Sequence, residues 1–412
     1  MKLYYTIIMG IPFLFASLIR HHPSIIKLKP PADYFAIDMN CLIHNFLNPE
    51  NPLESVMQGL KQILLEISIE HKNIFIAFDG LVPLAKMVQQ RYRRFRISEE
   101  PFDKRQISPD TPYMRSLESL IKKEFPEIRV SPTQEPGEGE HKIFLDMNIH
   151  KPQNVIIYGL DADLILLSLQ RQENIFLMRD GFLDVQELKK NLPINSEQFL
   201  YLSVLCFGND FMPNLGMFSL REHGYERCLG MYKDSGSPDL RQEEGRQHFL
   251  EFCAKEEIDV LKRMIKKRDN FHEKFFSEPV TRKYNLHILD GVLDPEPVVQ
   301  AYWKTFDFTI RYFLENKACN WEWYYPYPDA PLIQDIIQYD ESFCEHGTLN
   351  FRICNQLQFI LPSSTLKIIG RRQKFQDELY TETREPWLKK YDWEMKPRIS
   401  LPWTLTEIKR IS

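Results

Sequence analysis

The chain has 412 residues, of which 43% are hydrophobic and 26% are charged. This composition is typical of a globular protein and excludes a largely disordered one. The net charge of −5 excludes a uniformly basic coat, so any contact with nucleic acid must come from local patches. The seven cysteines are scattered and form no CxxC. They therefore indicate neither a zinc site nor a disulfide framework, and they fit a reducing compartment.

The N-terminal stretch, residues 3–19, is apolar and follows Lys2. It is at the short limit for a membrane span, and Gly10 and Pro12 interrupt it. The sequence RHHP that follows is not a small-residue cleavage site. We therefore expect a buried first helix and no membrane association; a signal peptide or a short anchor is the alternative.

Short apolar runs then alternate with helix-like stretches. Predicted strands cover 34–38, 73–79, 154–160 and about 174–179, and predicted helices cover 53–70, 83–96, 111–124, 139–149 and 196–206. This alternation predicts an α/β fold with a mostly parallel central sheet flanked by helices. From about residue 210 the pattern becomes one of amphipathic helices, including a basic run at 262–276 that we interpret as a solvated helix face. An aromatic, proline-rich segment follows at 321–332, and we expect the tail beyond 362 to be irregular.

Acidic residues stand at the ends of the predicted strands and beside two helices. In open parallel sheets ligands bind beyond the carboxyl ends of the strands, so one rim should gather these side chains. Their mutual repulsion would be severe unless divalent cations neutralised it. Oxygen ligands select Mg²⁺ or Mn²⁺, and two such ions can activate a water and stabilise a leaving oxygen. The set is Asp38, Asp79, Glu138, Glu140, Asp161, Asp163 and Asp210.

A second group of polar residues lies in PLAKMVQQRYRRFR, residues 83–96. Lys86, Gln90, Arg93 and Arg94 are separated by four, three and one residues, which predicts one helix face. Three cations and an amide on one face suit a terminal phosphate; an exposed basic helix face is the alternative. The sequence contains no GxxxxGK[ST] loop, so nothing indicates an ATP-driven mechanism.

These segments resemble the Xrn family of 5′-to-3′ exoribonucleases. The similarity runs from MGIP at Met9 nearly to the end of the chain, and includes IDMNCLIHN, EPGEGEHKI, YGLDADLILLSL, CFGNDFMPNL and WEWYYPYPDAP. The resemblance implies that the seven carboxylates bind two Mg²⁺ or Mn²⁺ ions. It implies that Lys86, Gln90, Arg93 and Arg94 bind a 5′ monophosphate. It also implies that His44 stacks on the first base, with Trp321 or Trp323 as the opposing aromatic surface.

The resemblance further implies a PIN/FEN-like nuclease core at 1–220 and a mainly helical second region at 221–412 that completes the RNA-binding site. The expected reaction is two-metal hydrolysis of single-stranded RNA to nucleoside monophosphates, without ATP. The expected location is the cytoplasm, with a nuclear or virion-associated protein as the alternatives. By this resemblance we expect a minimal form with the two catalytic regions, such as a virus or other compact genome could encode. Its eight residues before Met9 leave the true start open between Met1 and Met9.

Two other functions stay open at this point. A flap endonuclease of the same superfamily would carry a glycine-rich hairpin after the last acid, and GNDFMPNLGMFSLREHGYE has no closely spaced Gly-x-Gly. The aromatic segment at 321 also favours stacking on a single strand. A non-catalytic RNA-binding subunit is the second alternative. Degradation of RNA with and without a chelator separates that subunit from both nucleases.

Overall fold

A computed structural model describes residues 11, 13–95, 101–159, 161–179, 181–268, 294–327 and 329–371. The strands are β1 Ile26–Lys27, β2 Tyr34–Asp38, β3 Ile74–Ala77, β4 Arg129–Ser131, β5 Asn154–Tyr158, β6 Asn174–Met178 and β7 Phe182–Asp184. The helices of the first half are α1 Leu14–His21, α2 Met39–Phe46, α3 Pro52–Ile67, α4 Leu84–Phe95, α5 Pro112–Glu124, α6 Gly139–His150, α7 Ala162–Leu169, α8 Val185–Asn191 and α9 Ser196–Phe207. Those that follow are α10 Gly224–Asp234, α11 Glu243–Arg268, α12 Glu296–Glu315, α13 Ile333–Ile336, α14 Ile353–Ile360 and α15 Ser363–Ile368.

The strands form one sheet in the order β1-β7-β6-β5-β2-β3-β4. Neighbours from β6 to β4 are parallel, whereas β7 and β1 add an antiparallel edge. Every residue of the central strand β2 is buried, as expected for a parallel sheet covered on both faces. The predicted α/β fold with a mostly parallel sheet is therefore confirmed.

Successive residues of β2 pack into different cores because side chains alternate across a strand. Phe35 and Ile37 join a cluster with residues of α3 and α5, whereas Tyr34 and Ala36 join a larger cluster on the other face. That larger cluster contains residues of α6, α7 and α9 and also Phe249, Val299 and Tyr302 from beyond residue 220. Side chains from both halves of the chain thus share one core, and the boundary at 220/221 stays a prediction.

Most predicted elements are present with shifts of a few residues. The prediction that the tail beyond 362 is irregular was wrong at 363–368, where α15 forms and buries Leu366. The expected first helix is present as α1, whose Leu14 and Leu18 lie in the core; residues 3–10 lie outside the described part. The basic run continues α11 up to residue 268, and its remainder also lies outside. Among the described residues, no helix combines the length and apolarity needed to cross a membrane.

Candidate active site

A cleft opens at the rim where the parallel strands end. Asp38 is the last residue of β2, Asp79 follows β3, and Asp161 follows β5. The polar residues lining the cleft are Asp38, Asp79, Lys86, Gln90, Arg93, Glu138, Glu140 and Asp161. Five of the seven predicted acids thus meet at one rim, and Lys86, Gln90 and Arg93 of α4 line the same cleft.

Fixed donors orient the first two acids. Asp38 caps α2 by accepting hydrogen bonds from the backbone N–H groups of Asn40, at 3.0 Å, and Cys41, at 3.3 Å. The Asn40 Nδ2 atom donates to Asp79 Oδ2 at 2.7 Å. Asp79 Oδ1 accepts from the backbone N–H of Gly139 at 2.8 Å. The two carboxylates therefore have little rotational freedom before any ligand binds.

The turn PGEGEHKI places the next two acids at the start of α6. Gly137 adopts a φ of +113°, which favours glycine, and its N–H donates to Leu81 O. At Gly139 a Cβ atom would lie 3.2 Å from Asp38 Oδ1, so a side chain there would crowd the acids. Glu138 and Glu140 therefore enter the cleft from a turn in which Gly137 has a left-handed backbone and Gly139 leaves room for the Asp38 carboxylate.

Lys86 links this turn to the last acid of the set. Its Nζ atom lies 2.5 Å from Glu138 Oε2 and 2.7 Å from Asp210 Oδ2, and the side chain is only 6% exposed. Burial opposes the charge, but the carboxylates of Asp210, Glu138 and Glu140 raise the pKa of Lys86 well above its usual value. Lys86 is thus an ammonium ion held between acids, which brings Asp210 to the cleft.

The cleft contains more carboxyl groups than the single charge of Lys86 can neutralise. Burial, followed by repulsion from neighbouring carboxylates, raises the pKa values of Asp38, Glu140 and Asp163 well above the usual range. Burial also raises the pKa of Asp161 to about 7. Such shifts mean that these side chains resist ionisation unless a cation joins them.

The donor set fits a hard divalent cation. Asp163 Oδ1 is buried and has no hydrogen-bond partner within the described part of the chain, although an orphaned carboxylate oxygen is costly. Ligand atoms of Glu138, Glu140 and His141 lie within 4.8 Å of one another. Oxygen-rich sites of this kind suit Mg²⁺ or Mn²⁺. The structure thus contains a buried acidic cluster that can hold a metal.

Helix α4 presents Lys86, Gln90 and Arg93 to the cleft. The amide of Gln90 is oriented by Gln356 of α14, which accepts from Val82 N–H at 3.0 Å and donates from Nε2 to Gln90 Oε1 at 3.2 Å. Because Gln90 Oε1 is used in this way, its NH₂ group remains as the donor for a ligand.

Arg94 does not share this cleft, contrary to the predicted single face. Its Nε donates to Ser108 Oγ and its Nη2 to Ile107 O, both at 2.8 Å, and the side chain is buried. Residues 93 and 94 are about 100° apart around a helix. Arg93 therefore points into the cleft, while Arg94 fastens the segment around Ser108 to α4.

The three predicted aromatic residues lie outside the cleft lining. His44 is exposed at the end of α2. Its ring lies within the influence of the positive charges of Arg93, Arg94 and Lys104, at the Arg93 end of α4. Trp321 accepts from Leu84 N–H through its backbone oxygen and is half-buried beside the start of α4. Trp323 donates from Nε1 to Thr305 Oγ1 at 3.1 Å, which ties it to α12.

Sequence reasoning missed several residues that support the site. Asn40 bridges two acids, and it could have been noticed two positions after Asp38. Lys142 is buried and donates from Nζ to Phe78 O and Pro132 O at 2.8 and 2.9 Å, which fixes the backbone just before Asp79. Gln356, which orients Gln90, and Tyr312, whose hydroxyl donates to Glu138 Oε1, come from distant parts of the chain and carry no local signal.

Family profiles match most of the chain. The profile described as "XRN 5'-3' exonuclease N-terminus" matches residues 9–101 and 96–181, and the one described as "Xrn1 helical domain" matches residues 268–396. Together they span more than half of the sequence, in the order of the two regions predicted here. The fold and the cleft define an α/β protein with a buried carboxylate cluster beyond the ends of its parallel strands. The chain belongs to the Xrn family of 5′-3′ exonucleases.

Individual relatives carry names from the same family. The chain is 27% identical to 5'-3' exoribonuclease 1 of Saccharomyces cerevisiae over 55% of this chain and 21% of that protein. It is 27% identical to 5'-3' exoribonuclease 2 of Kluyveromyces lactis over 55% of this chain and 36% of that protein. It is 25% identical to 5'-3' exoribonuclease 2 of Aspergillus fumigatus over 62% of this chain and 39% of that protein. The chain thus spans well under half the length of these relatives.

A solved structure, the catalytic core of Rad2 in complex with a DNA substrate, is 19% identical and covers 65% of this chain and 83% of that chain. Its TM-score is 0.39. A likeness at this score supports no conclusion about the substrate of the present protein.

Proposed function

We propose that this protein is a metal-dependent 5′-to-3′ exoribonuclease that degrades single-stranded RNA with a 5′ monophosphate to nucleoside monophosphates. The observation that carries the proposal is one cleft in which carboxylates face the Lys86, Gln90 and Arg93 side of α4. A guanidinium and an amide beside clustered carboxylates are the groups that a terminal phosphate next to bound metal ions would need. The names of the relatives and the family membership support the same reaction.

The proposed metal-binding set is the one predicted from the sequence: Asp38, Asp79, Glu138, Glu140, Asp161, Asp163 and Asp210. Two Mg²⁺ or Mn²⁺ ions bound there would supply the Lewis acidity for hydrolysis of a phosphodiester. The protein contributes preorganisation, because Asn40 and the Gly139 N–H hold the first acids in fixed orientations. Lys86 keeps Glu138 and Asp210 close together at the same edge.

The α4 side of the cleft is proposed to read the 5′ end. Arg93 provides a guanidinium and Gln90 an NH₂ donor, a combination that complements phosphate oxygens. Helix α14 packs along α4, and Gln356 contacts Gln90 directly. This packing supports a pocket closed on that side, which would favour a monophosphate over a triphosphate or cap. Arg94 acts on this site through the position of α4.

Stacking on the bases is proposed to come from His44 and a tryptophan. His44 is exposed near the Arg93 end of α4, where its planar ring can contact a base face-on. Trp321 is the better candidate for the opposing surface, because it lies against the start of α4, whereas the Trp323 indole N–H is used by Thr305. Residues 221–412 would thus complete a site whose acids come from residues 1–220.

The experiment compares substrates and metals in one set. Single-stranded RNAs with monophosphate, hydroxyl, triphosphate and capped 5′ ends are incubated with the protein in Mg²⁺ and in EDTA, beside a branched DNA flap. The proposal expects EDTA-sensitive decay, fastest for the monophosphate RNA by at least about tenfold, the effect of one lost charge-assisted contact. Cleavage of the flap in preference to RNA would identify a structure-specific endonuclease instead. Binding of RNA without decay would identify a non-catalytic subunit.

A further inference from the structure

The C-terminal end of α12 contacts the N-terminal turn of α6, which carries Glu138 and Glu140. The contacting residues, Tyr312 and Asn316, lie more than 170 positions after the turn in sequence. Neither residue lines the cleft. They belong to the predicted helical second region and contact α6 on a side that does not line the cleft.

Tyr312 holds one oxygen of a proposed metal ligand. Its hydroxyl donates to Glu138 Oε1 at 2.5 Å, while Lys86 Nζ lies 2.5 Å from Glu138 Oε2. The tyrosine ring is fixed in turn by Phe211, with ring centroids 5.1 Å apart, and by Phe308, stacked at 5.9 Å. Both oxygens of Glu138 therefore have rigid partners, and its carboxylate has a single orientation.

Asn316 contacts the same N-terminal turn of α6, at His141. Its Nδ2 donates to the backbone oxygen of His141 at 2.8 Å, and its Oδ1 lies 2.5 Å from His141 Nδ1. The His141 ring also packs against Tyr312, with centroids 4.1 Å apart. Asn316 is the residue after α12 and has a φ of 55°, a left-handed conformation that asparagine tolerates well.

We propose that Tyr312 and Asn316 are positioning residues that orient Glu138 for metal binding, so that α12 of the second region sets the affinity of the nuclease site. Hydrogen-bond partners behind a ligating carboxylate fix its direction and tune the metal. Removing such partners typically weakens metal binding by about 10–100-fold. The inference rests on the proposed metal site, and it predicts an effect on the metal that packing alone would not give.

The first test is Tyr312→Phe, which deletes one hydroxyl and keeps the packed ring. Mn²⁺ binding is measured by calorimetry on RNA-free protein, and we expect affinity about tenfold weaker or lower still. Hydrolysis should fall at limiting metal and recover when Mg²⁺ is raised, with KM for RNA unchanged. The matched control is Tyr302→Phe, which removes a buried hydroxyl bond to Leu205 O from the same helix, away from the acids.

The second test is Asn316→Gly, which keeps the left-handed backbone accessible and deletes both side-chain contacts. Its control is Ser68→Gly, at another left-handed helix end, after α3. Asn316→Gly should lower the Mn²⁺ affinity, as Tyr312→Phe does. Ser68→Gly should leave the Mn²⁺ affinity unchanged.

The outcomes separate this inference from the function on which it rests. Mn²⁺ affinity of Tyr312→Phe equal to that of Tyr302→Phe would overturn the positioning role while leaving the nuclease proposal intact. A loss of activity that added metal cannot restore would also overturn it, since it would point to a general packing defect. A wild-type protein that binds no Mn²⁺ would overturn the metal site and this inference together.

Discussion

Replacing Arg93 by Gln should remove most of the preference for 5′-monophosphate RNA and leave the fold intact. Arg94→Gln, at the neighbouring position, should destabilise the fold and leave the preference for 5′-monophosphate RNA unchanged. The two residues have the same side chain and adjacent places on α4, but only Arg93 lines the cleft. Arg94 is 4% exposed and donates to Ser108 and Ile107.

The magnitudes follow from these contacts. A hydrogen bond to a charged group contributes about 1.5–3 kcal/mol, so losing one from Arg93 to the phosphate should slow monophosphate decay roughly tenfold to a hundredfold. Arg94→Gln loses two buried hydrogen bonds from a charged donor, which should cost about 3 kcal/mol or more of unfolding free energy. Its ratio of rates on monophosphate and hydroxyl ends should stay close to that of the wild type.

The assay measures decay of two RNAs of one sequence, with monophosphate or hydroxyl 5′ ends, by wild type and both variants. Urea unfolding of the same preparations gives the stabilities. If Arg93→Gln kept the wild-type rate ratio, or if only Arg94→Gln lost it, the assignment of the cleft as a phosphate pocket would be wrong.

Three further predictions concern the acids, the stacking surface and the second region. Asp163→Asn should abolish hydrolysis while RNA still binds in a filter assay, since the orphaned Oδ1 is proposed to face a cation; near-normal turnover in Mg²⁺ would contradict it. His44→Ala should shorten the processive product ladder on long RNA more than it weakens initial capture, because base stacking contributes roughly 1–3 kcal/mol; an unchanged ladder would count against stacking. Burial raises the pKa of Glu257 from 4.5 to about 7 in the folded protein. The free energy of unfolding should therefore fall by about 3 kcal/mol as the pH rises from 4.5 through 7. Glu257→Gln should flatten that part of the pH dependence in urea unfolding; an unaltered slope would refute the shift.

The acids of the rim were predictable because parallel strands end at a common edge. Asp38 ends a fully buried strand, and in the YGLDADL segment Asp161 comes shortly after strand β5. The helices that begin directly after these acids, α2 and α7, were missed. At α2 no residue separates strand from helix, because Asp38 ends β2 and itself caps α2; at α7 only residues 159–161 lie between β5 and the helix. Strands β1 and β4, of two and three residues, are too short to show alternation.

The residues behind the site were not predictable from local pattern. Helical spacing placed Arg93 and Arg94 together, but the neighbours that each side chain meets decide where it points. Gln356 orients Gln90 from 266 positions away, and Tyr312 reaches Glu138 from 174 positions away. In the sequence both residues belong to ordinary helical stretches, and only the packing of the second region on the first brings them to the cleft.

The measurement that tests the central claim most directly follows a 5′-labelled, 5′-monophosphate single-stranded RNA in Mg²⁺ and in EDTA. The account predicts that the first labelled product in Mg²⁺ is a mononucleotide, that no longer labelled fragments accumulate, and that EDTA stops the reaction. A ladder of labelled fragments that shortens progressively, which shows cleavage from the 3′ end or within the strand, would contradict the 5′-to-3′ reading. Undiminished decay in EDTA would contradict the metal site.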